Sequence, residues 1–133
     1  MERLQRKKRF DKYIYVAGAY GGLMSNKKYI EDKCIEFRRQ YPTYLFINGV
    51  SAFGYMYDTE TYKKGLDMTL ELMLDMADEV WTVGDYSKSI GTNVEIAVAR
   101  EYGIPIRTED ELNPIEFIVK ERKPTKGVRQ WLK

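Results

Sequence analysis

Histidine is absent from the chain, and cysteine occurs once, as Cys34. Without histidine the commonest metal ligand and the usual general base are missing, which excludes zinc chemistry and the serine or cysteine triads that depend on an imidazole. No metal or cofactor is therefore expected. A lone cysteine has no internal disulfide partner. Long apolar runs are lacking too: none approaches the roughly 18 residues that a membrane helix needs, so no membrane-spanning role is expected. What is present fits one soluble globular domain: 133 residues, 44% hydrophobic and 14% aromatic, with a mean hydropathy of −0.52.

Charge is unevenly spread. The net value is +2, yet residues 1–12 carry six Lys/Arg against two acids and residues 120–133 carry six against one, so the chain between them is acidic. This divides the chain into a basic arm (1–12), an α/β domain (13–120) and a basic tail (121–133). The arm reads as a solvated terminus, a positive rim around an anionic ligand, or a nucleic-acid contact. The rim is favoured over nucleic acid, because only Phe10 and Trp131 are placed to stack bases. The basic start and the apolar run Tyr13–Ala17 are too short for a signal peptide, so a cytoplasmic location is expected.

Strand and helix patterns alternate. Tyr13–Ala17 is aromatic and β-branched and runs into glycines, a buried strand ending in a turn. A helix capped by Ser25 or Asn26 follows, with Tyr29, Ile30, Cys34 and Phe37 at helical spacing, until Tyr41-Pro42. Tyr44–Asn48 is a second strand and Gly49–Glu60 a loop. Thr61–Ala77 carries the apolar stripe Leu66, Leu70, Met73 and Ala77. Glu79–Val83 is a third strand, Gly84–Ser89 a turn into a helix ending at Gly103, and Ile104–Arg107 a fourth strand. Thr108 or Glu109 caps a last helix over Asn113–Lys120. The alternation predicts a three-layer, Rossmann-like α/β domain with a short parallel sheet of four to five strands. Ligands of such sheets gather at the carboxyl ends of the strands, which here are the loops Gly18–Ser25, Asn48–Glu60 and Gly84–Gly91.

Ala17-Gly-Ala-Tyr-Gly-Gly22 has neither the G-x-G-x-x-G spacing of a dinucleotide site nor a Walker lysine. Gly18, Tyr20, Gly21 and Gly22 nonetheless form either a plain strand-to-helix turn or a loop whose backbone N–H groups approach phosphate. The sharper pattern is Ser89-Ile-Gly-Thr-Asn-Val-Glu95 where a turn opens a helix. Ser89, Gly91 and Thr92 suit an anion, with Asp85 and Asn93 beside them. Glu95, about one turn into the helix, can present a carboxylate to a sugar and attack or stabilise its anomeric carbon. Thr92 and Glu95 also have the spacing of a capping box, the competing reading. Phe53, Tyr55 and Tyr57, with Trp81 and Tyr86, are candidates to stack a base or to fill the core.

The Tyr-rich first strand, Ala77-Asp78 before the third, and S-x-G-x-x-x-E at Ser89–Glu95 resemble the nucleoside 2-deoxyribosyltransferase-like superfamily over roughly residues 13–107. The branch that cleaves nucleoside 5′-monophosphates is the most similar. The resemblance implies phosphate contacts at Ser89 and Gly91, a nucleophile at Glu95, and an oligomer whose neighbour completes the pocket, for which the tail with Trp131 is a candidate. Gly-Thr-x-x-Glu is also similar to phosphoribohydrolases of cytokinin-type nucleotides, without their preceding Pro-Gly-Gly. Tyr20 stands where the branch carries a phosphate-binding Arg. The branch's second acid would fall among Asp67, Glu71 and Asp75, which also fit a solvated helical face. In size and Lys/Tyr-rich style the chain resembles phage counter-defence proteins of the Thoeris anti-defence kind, which sequester cyclic ADP-ribose-like signals.

Three functions are therefore in competition. A nucleotide-type binder, including a sponge for an ADP-ribose-like signal, needs only the phosphate and base pockets. An N-glycosidase or deoxyribosyltransferase needs Glu95 as nucleophile as well. Nucleic-acid binding through the basic ends ranks last.

Overall fold

A computed structural model of the chain describes residues 8–57 and 61–112. The basic stretch 1–7, loop residues 58–60, the expected helix over 113–120 and the tail with Trp131 lie outside the described residues. The elements run β1 (Lys12–Ala17), α1 (Met24–Gln40), β2 (Tyr44–Ile47), α2 (Gly49–Phe53), a 3-10 turn (Gly54–Met56), α3 (Tyr62–Met76), β3 (Glu79–Thr82), α4 (Ile90–Glu101), β4 (Ile106–Thr108) and α5 (Glu109–Leu112). The four strands form one all-parallel sheet in the order β2-β1-β3-β4. This is the expected three-layer, Rossmann-like α/β fold.

Each layer follows from strand alternation, which sends successive side chains to opposite faces. Ile14, Val16, Trp81 and Val83 face α1, where Ile30 and Phe37 complete one core. Tyr15, Ala17 and Val80 face the other way and pack on Met73 of α3 and Ala99 of α4. Both faces are covered, as a parallel sheet requires. The chain leaves β1 toward β2 on one side and β3 on the other, so the strand order reverses between β1 and β3. A crevice opens at such a switch point, beyond the carboxyl ends of the strands.

Several boundaries differ from expectation. Neither Ser25 nor Asn26 caps α1: the helix begins at Met24 after Leu23, with no side-chain cap. The Asn26 amide instead donates to the Tyr20 carbonyl at 3.0 Å and closes the turn before the helix. The expected loop 49–60 begins as α2, because Asn48 leaves the strand and accepts the Ser51 N–H at 2.7 Å. Thr108 does start a helix, and its backbone N–H and hydroxyl pair reciprocally with Glu111. The described part of that helix is residues 109–112. No helix among the described residues is long and apolar enough to cross a membrane.

Candidate functional site

A cavity of about 750 Å³ occupies the switch point. Its walls are the end of β1 with the turn after it, α2 and the 3-10 turn, the first half of α3, and the turn from Asp85 into α4. Among the candidate residues, Gly18, Tyr20, Gly21, Phe53, Asp85, Ser89, Gly91, Thr92 and Glu95 line it.

Glu95 is the buried carboxyl of the cavity wall. Thr92, Glu95, Ile96 and Ala99 form the buried face of α4, and a carboxylate there must find donors. Glu95 is only 7% exposed. The Tyr15 hydroxyl, at the tip of a side chain that alternation sends to this face, donates to Oε2 at 2.6 Å. The Thr69 hydroxyl stands beside the pair and has two acceptors to choose from, the Leu66 carbonyl at 2.8 Å or the carboxylate. Burial pushes the Glu95 carboxyl up to about 7, against the opposing pull of Tyr15 and Thr69. Burial and the neighbouring carboxylate together raise the Tyr15 phenol well above its ordinary range, so it remains a donor. Gly49 makes this contact possible: a Cβ there would collide with the Tyr15 hydroxyl and with Thr69.

Glu95 takes no part in a capping box, so that reading is corrected. The cap of α4 lies one turn earlier, where the Ser89 hydroxyl accepts the Thr92 N–H at 3.2 Å and pairs with the Thr92 hydroxyl at 3.1 Å. Thr92 is buried at the cavity wall and its hydroxyl accepts the Ser89 hydroxyl. Ile90 and Gly91 hold the first two helical positions, whose N–H groups have no intrahelical acceptor. The Tyr62 hydroxyl faces the Gly91 N–H, and a Cβ on Gly91 would sit 3.1 Å from that hydroxyl. Lys88 brings a cation to the same wall.

Five candidates lie elsewhere. Trp81 is 2% exposed on the α1 face, where its ring packs against Phe37, Tyr41, Tyr44 and Phe46 and its indole N–H donates to Glu79 at 2.9 Å. It is a core residue and does not line the cavity. Asn93 also turns away from the cavity. Its amide donates to the carbonyls of Ser89 at 2.8 Å and Tyr86 at 3.1 Å, holding the turn from beneath. Tyr55 is 75% exposed and off the cavity wall, and Gly22 lies against the Tyr57 ring. Tyr86 does not line the cavity, and its carbonyl accepts the Ser89 N–H at 2.9 Å.

Asp67, Glu71 and Asp75 are exposed on the outer side of α3, where Asp67 meets Lys63 at 3.3 Å. None of the three reaches the cavity, so α3 supplies no second acid. Asp85 is the other carboxylate among the described lining residues, and it accepts the Ser87 N–H at 3.1 Å and hydroxyl at 2.8 Å. Among the described residues no group of His, Cys, Asp and Glu is placed to hold a metal ion.

Sequence reasoning missed Tyr15, Gly49, Tyr62, Thr69 and Lys88. The signal for Tyr15 was available: an aromatic with a polar tip, set between Ile14 and Val16 three residues before Gly18, needs a buried partner. Tyr20, Tyr57 and Tyr62 form a chain of edge-on ring contacts at 5.0 and 5.2 Å along the mouth. Fold and cavity together define a Rossmann-like α/β protein with a buried, tyrosine-held carboxyl at its switch point. Comparison with protein-family models, curated proteins and solved structures finds no match to the chain.

Proposed function

We propose that this protein binds a phosphorylated N-riboside, a nucleotide or an ADP-ribose-type molecule, in the switch-point cavity. The observation that carries the reading is the Glu95–Tyr15 pair, buried at the wall of a roomy cavity and one helical turn from the α4 N-terminus. Phosphate sits against Gly91 and Lys88, where the helix end and the ammonium favour an anion. Ribose hydroxyls meet the Glu95 carboxylate. The base lies on the aromatic side formed by Phe53, Tyr57 and Tyr20. The resemblance to the deoxyribosyltransferase-like superfamily supports this ligand class, and the resemblance to phage counter-defence proteins supports sequestration of a cyclic ADP-ribose-type signal in the cytoplasm. The superfamily resemblance also supports a homo-oligomer.

A second reading is favoured by the same carboxyl. The Glu95 carboxylate bonds to the anomeric carbon as the bond to the base breaks, and the base takes a proton from solvent; water then adds to the anomeric carbon, returns a proton to solvent, releases the sugar phosphate and restores the carboxylate. The lack of an acid from α3 weakens this step more than it weakens binding.

The test is to incubate the full chain with 5′-mononucleotides, ADP-ribose and cyclic ADP-ribose, denature it, and chromatograph what it held. Retention and recovery of intact ligand is the expected result. Free base in the supernatant would replace the first reading by the second, and failure to retain or cleave any of them would end both.

A further inference from the structure

We propose that Glu109, which lines no part of the cavity, is a positioning residue that fixes the β3–α4 turn in the shape the ligand meets. The proposal rests on the reading of the cavity as a nucleotide site, because that turn supplies Asp85, Ser87, Lys88 and Ser89 to its wall.

The turn is anchored at both ends by side chains from other parts of the fold. At its far end Asn93 of α4 gathers carbonyls of the turn. At its near end Gly84 stands at φ +68°, a conformation that L side chains rarely adopt, and its N–H donates to Glu109 Oε1 at 2.9 Å. The same carboxylate accepts the Tyr29 hydroxyl at 3.0 Å and the Lys33 ammonium at 2.7 Å, both from α1. One side chain at the head of α5 thus joins the turn after β3 to the helix after β1, the two segments that diverge at the switch point. The Tyr29 ring closes over Gly84, 3.2 Å from where a Cβ would be.

The charge balance shows that the clasp is engaged as an ion. Burial raises the Glu109 carboxyl, but the Gly84 N–H, Lys33 and Tyr29 together bring it below its ordinary value. Burial likewise lowers the Lys33 ammonium, and Glu109 and Glu36 more than reverse this. Truncating Glu109 leaves the Gly84 N–H without its acceptor, and an unmet donor is costly. The turn then loses the point from which it leaves the sheet, although no ligand contact has been touched.

The test compares the wild-type chain with Glu109→Ala, Glu109→Gln and Tyr29→Phe. Amide hydrogen exchange is followed at residues 84–89, and affinity for a 5′-mononucleotide is measured by calorimetry. Glu109→Ala is expected to speed exchange across the turn and weaken binding, each by about tenfold or more, while exchange in β1 and β3 stays as it was. Glu109→Gln keeps an acceptor for Gly84 and should recover most of both; a merely destabilising change would not be rescued in this way. If Glu109→Ala fails to fold, Tyr29→Phe carries the same comparison with a smaller effect. Unchanged exchange at residues 84–89 in the folded variant would overturn the clasp. Wild-type protein that binds no nucleotide would overturn the ligand reading alone, since the exchange comparison still decides what Glu109 does.

Discussion

Glu95 sits where an ordinary carboxylate is destabilised, and that has a measurable sign. Its carboxyl is raised from 4.5 to about 7 in the folded chain, so between those values the folded state holds the proton more tightly than the unfolded one. Stability is therefore fully present below the unfolded value and is lost as pH rises toward 7, by up to about 3 kcal/mol. Glu95→Gln keeps an acceptor for Tyr15 and has no charge to bury, so its unfolding free energy should be flat over this interval and exceed the wild-type value at pH 8. Urea unfolding at pH 5, 6, 7 and 8 checks this. A wild-type curve as flat as the variant's would mean that the carboxyl is not buried in solution.

α2 shows how an element of poor intrinsic propensity is held by its surroundings. Its residues are Gly49-Val-Ser-Ala-Phe53, and glycine, valine and serine are weak helix formers. The helix exists because Asn48 caps it, Val50 packs against the α1-face core, and Gly49 lies against Tyr15 and Thr69. The Asn48 amide also donates to Cys34 at 3.6 Å, and the Ser51 hydroxyl to Glu31 at 2.8 Å, tying α2 to α1. Gly49→Ala should destabilise by about 1–3 kcal/mol, the usual cost of overfilling a packed site, and should disturb the Tyr15–Glu95 pair with it. Chemical denaturation gives the first effect, and loss of the wild-type pH dependence of stability gives the second. An alanine variant as stable as wild type would show that the contact yields without cost.

The carboxyls held within the fold follow two opposite electrostatic patterns. Away from the cavity, near the start of β3, the buried Glu79 carboxylate accepts Lys12 at 2.6 Å, the Trp81 indole at 2.9 Å and Arg107 at 3.1 Å. Burial raises this group, but the three donors more than reverse it, leaving it below its ordinary value. Glu109 follows the same pattern. A depressed carboxyl contributes stability above its unfolded value that is lost as pH falls through the folded one; the raised Glu95 does the reverse. Acid thus removes the contribution of Glu79 and Glu109, and neutral pH that of Glu95. The whole molecule should be most stable at about pH 5, between the two losses. A midpoint for unfolding that climbs steadily from pH 5 to pH 8 would contradict this balance.

The alternation of apolar strands and amphipathic helices was legible in the residues themselves, because each element must bury one face and only a covered parallel sheet satisfies all of them. The position of Glu95 beside a helix start at the end of β3 was legible too, since Ser89-Ile-Gly-Thr-Asn-Val-Glu95 carries its own turn and cap chemistry. Which way side chains point across the sheet was not. Trp81 and Tyr15 look alike along the chain, yet pairing places Val16 beside Trp81 and Val80 beside Tyr15, so one aromatic joins the core and the other reaches the cavity. Partners eighty residues apart, Tyr15 with Glu95 and Tyr29 with Glu109, depend on how the crossover helices settle on the sheet. Local sequence sets the conformation of each segment; only tertiary packing decides which buried polar groups find one another, because a hydrogen-bond partner is chosen by proximity in space and not by spacing along the chain.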